Sequence, residues 1–330
     1  MPEIRMHLNE LPWPPSSSVI KAAKAALDKM NRYSDENTHN DLKRYLSEYT
    51  NTGEGRIILS PGSDILLRDA VHLWGYGRKV ITLCPSFLPT VSSARQTASE
   101  LINIRLPLPD FNFNIDMLDT EIEGPCLIIL DNPNNPTGQL VISPEHLSRL
   151  LKKQNVLIIM DEAYYEFSGA TCAQLVDEFP NLLVTRTLDK VMSMAGMRMG
   201  YGIAGDNFLK GFADFPVYLP RATLSACVAA LDDTEKAEKR VRKLINERNE
   251  MVTELEGKGV RVWNTHTNFI VINSKVAEIV NRLRDKGILV KDLSDQMPGN
   301  FIRVTIGKPK ENRYFLKRFM KIEKGIIENV

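Results

Sequence analysis

Lys190 stands in the run Thr187-Leu188-Asp189-Lys190-Val191-Met192-Ser193-Met194-Ala195-Gly196-Met197-Arg198-Met199-Gly200-Tyr201. A lysine amine that condenses with an aldehyde performs covalent catalysis. If a phosphorylated cofactor carries that aldehyde, a second, permanently charged group must hold the phosphate, and Arg198 is a planar, bidentate donor suited to it. Taken alone, Lys190 reads as an ordinary solvated charge. The neighbouring blocks supply the argument.

Gly62-Ser63-Asp64 follows an apolar strand and opens a helix, which leaves backbone N–H groups and a positive dipole end free for a phosphate; a plain capped turn uses the same residues. Asp131-Asn132-Pro133-Asn134-Asn135-Pro136-Thr137-Gly138 comes at the carboxyl end of the apolar run 126–130, where open α/β sheets bind ligands. Turn chemistry alone also accounts for that block, but Asn135 can aim an amide at a ring oxygen. Asp161-Glu162-Ala163-Tyr164 closes the next run, 156–160. A buried carboxylate there needs a cation, and a protonated pyridine nitrogen is one. The plainer reading is a capping Asp beside a core Tyr. Phe87, after Pro85-Ser86, can stack on a flat heteroaromatic ring or fill the core. Arg303 alternates with apolar neighbours in 302–306 and either clamps a carboxylate or phosphate or makes an exposed salt bridge.

These residues need a scaffold that gathers strand ends. Between residues 56 and 204 short apolar runs (57–59, 80–83, 127–130, 156–160 and 182–184) alternate with amphipathic stretches such as 63–76 and 144–154, the latter with Ser143 as N-cap and Pro144 at the first helical position. That pattern predicts an α/β domain with a wound, mainly parallel sheet. After the stretch 216–220 a charged helical run spans 223–258, with a break expected at Asp232-Asp233. Strands over 261–263, 268–272, 289–291 and 302–306, a helix over 275–286 and a basic helix from Glu311 then predict a small α+β unit.

With 330 residues the chain can bury a large core and divide into two domains. Forty-two Lys and Arg balance 41 Asp and Glu, so the net charge of +1 gives no general attraction to nucleic acid or anionic lipid. Cys84, Cys126, Cys172 and Cys227 are dispersed and the five histidines make no helical metal pair, so no metal site is expected. Residues 1–10 lack the apolar core of an export signal and no apolar run reaches membrane-spanning length, which together with unpaired cysteines suggests a cytoplasmic protein.

In order and spacing, Gly62-Ser63-Asp64, Phe87, Asn135-Pro136-Thr137-Gly138, Asp161-x-x-Tyr164, Lys190, Arg198, Asn268-Phe269 and Arg303 resemble the class I/II pyridoxal phosphate-dependent aminotransferases over nearly the whole chain. The histidinol-phosphate aminotransferase branch is the most similar, through Leu8-Asn9-Glu10, Asn31-Arg32-Tyr33, Ala195-Gly196-Met197-Arg198-x-Gly200-Tyr201 and Arg303-Val304-Thr305-Ile306-Gly307. The resemblance implies the α/β architecture of fold type I pyridoxal phosphate-dependent transferases. In that frame residues 34–220 form the large cofactor-binding domain, and residues 1–33 and 221–330 form an N-terminal arm plus a small α+β domain. It also implies the cofactor pyridoxal 5'-phosphate, amino and 2-oxo acid substrates, a place in histidine biosynthesis and a homodimer.

By the same resemblance Lys190 would carry the cofactor and move the proton at the substrate Cα, and Asp161 would hold the pyridinium proton. Tyr164 and Asn135 would donate to the phenolic oxygen, and Phe87 and Ala163 would sandwich the ring. Thr187, Arg198 and the Gly62, Ser63 and Asp64 backbone would cradle the phosphate, joined by Tyr33 from a second subunit. Arg303 would take the substrate carboxylate, with Asn268 and Arg221 as further substrate contacts.

Four departures stand out. Asp189 replaces the usual Ser or Thr before the lysine, which sets a carboxylate beside a dianion unless it turns away or finds a cation. Ile65 replaces Glu after Gly-Ser-Asp, Leu11 replaces the second Asn of the opening Asn-Glu-Asn-Pro, and 216–221 rewrites a usual Pro-Tyr-Asn-Val. Two other activities stay open on sequence: a threonine-phosphate decarboxylase, which breaks a different bond at the same carbon, and a non-catalytic binding or regulatory protein of the same fold.

Overall fold

The computed structural model describes residues 3–215 and 217–325. In chain order its strands are β1 (Ile4–Met6), β2 (Ile57–Ser60), β3 (Lys79–Cys84), β4 (Glu100–Arg105), β5 (Cys126–Asp131), β6 (Val156–Asp161), β7 (Leu182–Thr187), β8 (Gly200–Ala204), β9 (Val262–Trp263), β10 (Phe269–Asn273), β11 (Ile288–Asp292) and β12 (Phe301–Thr305). They form a seven-stranded sheet in the order β2-β8-β7-β6-β5-β3-β4 and a five-stranded sheet in the order β1-β11-β12-β10-β9.

In the large sheet only β8 runs against its neighbours. Strands β5, β6 and β7 are buried along their whole length. Their unbroken apolar sequences follow from packing on both faces. Leu127, Ile129, Leu157 and Ile159 join one core with Leu67, Val71 and Phe208, while Ile128, Leu130, Ile158 and Met160 join the other. A sheet covered on both faces needs apolar residues at every position rather than at alternate ones. Each run ends in polar residues at one edge, with Asp131 level with Asp161 and Asp161 level with Thr185.

The small sheet is mostly antiparallel, but β1 joins it in parallel beside β11. This three-residue edge strand has no periodicity to read, and it fixes the course of the segment that follows it. Strand β4 was also not foreseen: its polar residues lie on the exposed edge of the large sheet. Strand β8 escaped notice because its glycines resemble a turn.

The helical breaks follow local chemistry. The charged run divides into helices Arg221–Leu231 and Thr234–Glu256, interrupted at Asp232-Asp233 as expected. Helix Pro144–Leu151 begins with the Ser143 side chain accepting the His146 N–H. The helix expected over 275–286 is only Ile279–Arg284, and the last helix begins at Pro309, two residues earlier than expected, with Glu311 accepting the Lys308 N–H at 2.6 Å. Pro216, in the rewritten segment, lies outside the described residues.

Candidate active site

Lys190 sits in the short helix Leu188–Val191 directly after β7. Among the described residues its Nζ makes one hydrogen bond, 3.4 Å to the Leu8 carbonyl. Burial lowers its pKa below the ordinary lysine value, and nearby Arg303 and Arg198 push the same way against Asp189. A larger share of the amine is therefore neutral, the form that attacks a carbonyl.

Asp161, at the end of β6, is buried, and desolvation, followed by repulsion from Asp131, pushes its pKa up to about 7. Thr185 Oγ1 and the Ala163 N–H both donate to its Oδ1, at 3.2 and 3.1 Å, and Oδ2 receives no hydrogen bond among the described residues. Such a carboxylate is stabilised by a cationic N–H. Asp131 shapes the adjacent turn instead: it accepts from Ser86 Oγ at 2.9 Å, Asn134 Nδ2 at 3.0 Å and the Asn135 N–H at 2.7 Å.

Behind Asp161, Glu162 points into the opposite layer. It accepts from Arg186 Nε and Nη2 at 3.0 and 2.8 Å and from the Cys172 N–H at 2.6 Å, while Arg186 stacks 3.7 Å over the Tyr165 ring. This buried pair ties the ends of β6 and β7 together just where Asp161 meets Thr185.

Asn135 and Tyr164 keep donors in reserve. Asn135 Oδ1 accepts from Arg303 Nη1 at 2.5 Å, so its amide N–H groups remain to be used. The Tyr164 hydroxyl accepts from Asn9 Nδ2 at 2.6 Å and thus keeps its own proton, which burial holds on more tightly than in a free tyrosine. Phe87 is half-buried at the start of helix Leu88–Thr97, and Ala163 is buried beside Asp161.

At the other end of the cleft, the strand order brings Ser60, Gly200 and Thr187 level with one another. A Cβ on Gly200 would collide with the Gly62-Ser63 backbone, so only glycine lets the start of β8 lie against this turn. Helix Ser63–Gly75 carries no side-chain cap, which leaves first-turn N–H groups available. The Arg198 guanidinium lies over the turn, paired with both Asp64 and Asp189. Asp189 has thus found a cation, and its other oxygen accepts the Met199 N–H at 2.8 Å. Thr187 departs from expectation. Its hydroxyl donates to the Met199 carbonyl and accepts from the Asp189 N–H, so it shapes the turn and has no proton left for a phosphate.

Arg303, on β12, leaves the exposed salt-bridge alternative behind. It donates to Asn135 and to the His7 carbonyl at 2.9 Å, lies 5.2 Å from the centroid of the Phe269 ring, and has no carboxylate within ion-pair distance among the described residues. Burial lowers its pKa, and its Nε has no partner. Asn268 is fully buried, donating to the Asn9 carbonyl at 2.9 Å with its own Oδ1 unpartnered.

Asn9 was missed as a site residue, although it ties the whole cleft together. Its N–H and Oδ1 both bond Thr305, its amide bonds Tyr164 and its carbonyl takes Asn268. The one local signal is its left-handed backbone, φ 55°, a conformation Asn tolerates better than most residues but which no sequence pattern announces.

Tyr33 and Arg221 lie apart from this cleft. Tyr33 is 81% exposed and packs against Tyr218 with ring centroids 5.1 Å apart. Arg221 is held by Asp35 and the Tyr33 carbonyl, at 2.9 and 2.7 Å. Two hydrogen bonds from Thr38, then Arg221, keep the Asp35 carboxyl far below its ordinary range. Neither Tyr33 nor Arg221 bonds any of the residues around Lys190 among the described residues.

The donor set fits pyridoxal phosphate: an amine of lowered pKa, a dry carboxylate with a free oxygen, two spare donors beside it, and an arginine above uncapped helix N–H groups. Fold and site together define a pyridoxal phosphate-dependent transferase. The profile of the family "Aminotransferase class I and II" matches residues 2–319, and the chain belongs to that family. It is 33% identical to a histidinol-phosphate aminotransferase of Sulfurisphaera tokodaii over 87% of this chain and 82% of the relative, and 31% identical to one of Brachyspira hyodysenteriae over 98% and 93%. The solved histidinol-phosphate aminotransferase of Sinorhizobium meliloti, in complex with pyridoxal-5'-phosphate, superposes with a TM-score of 0.87 at 23% identity, covering 98% of this chain and 92% of that one.

Proposed function

We propose that this aminotransferase passes an amino group from histidinol phosphate to 2-oxoglutarate by a ping-pong route, and so serves histidine biosynthesis in the cytoplasm. The named activity of its relatives supports the substrate pair. One observation carries the wider reading: Lys190 and Arg303 bond the consecutive carbonyls of Leu8 and His7, so the amine lies near a partly buried cation that has no carboxylate of its own. That pairing suits a small substrate with an amine or carbonyl at one end and an anion at the other.

Bound pyridoxal phosphate supplies an aldehyde that takes up the amine and a ring that stores the electron pair left at Cα. The residues divide the remaining work. The Lys190 amine would hold the cofactor at rest and then move the proton between the substrate Cα and the cofactor C4′. Asp161 keeps the ring nitrogen protonated, with its carboxylate fixed by Thr185 and Ala163. Tyr164 and Asn135 would donate to the phenolic oxygen, and Phe87 and Ala163 would hold the ring between them. Arg198 and the Gly62-Ser63-Asp64 backbone bind the phosphate. Arg303 orients the anionic end of the substrate, with Asn268 beside it.

The same reading divides the chain into a large domain, 34–220, and an arm plus small domain, 1–33 and 221–330. It also makes the working unit a homodimer, in which Tyr33 reaches the phosphate of the partner site, and it keeps Arg221 as a further phosphate or carboxylate contact of the substrate. The exposed Tyr33–Tyr218 stack supports this assignment.

The test is a visible absorption spectrum with pyridoxal phosphate before and after glutamate and then histidinol phosphate. The expected result is a band of lysine-bound cofactor that either amine converts and that Lys190→Ala lacks. Release of carbon dioxide from O-phosphothreonine without keto-acid formation would instead identify a decarboxylase. Absence of any band would refute the catalytic reading.

A further inference from the structure

Arg198 is occupied before any cofactor arrives. Its Nη1 pairs with Asp189 and its Nη2 with Asp64, and a Cβ on Gly62 would strike both Arg198 and Asp64. All three charges therefore crowd the head of helix Ser63–Gly75, where the phosphate is to bind. One guanidinium is already shared between two carboxylates, so a dianion must compete with them for it.

The two carboxylates are not equivalent. Asp189 has a side chain 5% exposed, and its second oxygen accepts the Met199 N–H. Asp64 is 40% exposed, and Arg198 is its only hydrogen-bond partner among the described residues. Rotating Asp64 outward breaks one half-exposed ion pair and returns the carboxylate to water. Displacing Asp189 would strip a buried acceptor of its partner.

We propose that Asp64 is a displaceable competitor for the cofactor phosphate. It covers Arg198 in the cofactor-free protein and turns away as the phosphate binds, while Asp189 stays as the positioning residue that keeps the guanidinium over the turn. The cofactor is then held less tightly than the donor set alone allows. This inference rests on the assignment of Arg198 to the phosphate.

The experiment is equilibrium binding of pyridoxal phosphate to the cofactor-free protein, followed by the visible band, for the wild type, Asp64→Asn, Asp64→Ser and Asp69→Asn. Asp69 lies in the same helix but pairs with Arg68. Both Asp64 variants should bind roughly fivefold tighter, the factor for an exposed ion pair that no longer has to open, and Asp69→Asn should match the wild type. Their cofactor-free melting temperatures should not rise, since each loses an ion pair near the helix start. A merely structural Asp64 would lose affinity and stability together. Unchanged or weaker binding by both Asp64 variants overturns the proposal, as does equal tightening in Asp69→Asn. No binding by any of the proteins would refute the cofactor assignment itself, and the inference with it.

Discussion

Arg198 and Arg303 both lie near Lys190, with opposite electrostatics. Arg198 is exposed and holds two carboxylates; Arg303 is partly buried and holds none, bonded only to an amide oxygen and a backbone carbonyl. A cation kept from both water and counter-ion awaits an anion from outside. One that already has its counter-ions must give one up. On the proposed assignment, Arg303 would recognise a carboxylate or phosphate strongly, and Arg198 would bind the cofactor phosphate reversibly.

The largest effect that separates the two is catalytic. Arg303→Met should lower kcat/KM for glutamate by about 10²–10³-fold, the cost of leaving a desolvated anion without its partner, and should leave pyridoxal phosphate affinity near the wild-type value. An equal loss of cofactor affinity would erase the distinction.

A smaller effect is expected in the stability of the cofactor-free protein, measured by urea unfolding. Arg198→Met strands the buried Asp189 with only the Met199 N–H and should destabilise the fold by about 1–3 kcal/mol. Arg303→Met removes an uncompensated charge, so its unfolding midpoint should hold or rise. Equal destabilisation by both would show that Arg303 has a structural role.

The smallest expected effect concerns pH. Burial pushes Asp161 up to about 7 and Asp131 up to about 6, against an ordinary value of about 3.9. The folded state therefore keeps these protons where the unfolded chain releases them. That contribution to stability is complete below about pH 4 and is lost as pH rises toward 7. Asp161→Asn should melt with a flatter pH dependence than the wild type across this window, and an identical slope would show that Asp161 does not carry the shift.

The sequence made the site legible wherever a single strand end sufficed. Asp161, Asn135 and Lys190 each close a buried parallel strand or open the turn after it, and the apolar runs that mark those strands are unbroken. Long-range pairings were not legible. Arg303 reads as a cleft cation only once Asn135 and His7 are beside it, and Asn9 acquires meaning only through Thr305 and Tyr164. Nothing local distinguishes it from a turn asparagine. Asp189 was visible as an anomaly, but the cation that answers it lies nine residues on, in a left-handed kink at Arg198. The hydroxyl of Thr187 bonds the Met199 carbonyl and the Asp189 N–H, contacts that no local pattern announces.

The bonds from Asn9 to Thr305 close a loop 296 residues apart in sequence. During synthesis the seven-stranded sheet and Lys190 are complete long before β12 leaves the ribosome. Until then Arg303 is missing, and the segment around Asn9 has Tyr164 and Lys190 to hold it but neither Thr305 nor Asn268. The nascent chain can thus form its scaffold first, and the contacts that Thr305 and Arg303 make across to Asn9, His7 and Asn135 come last.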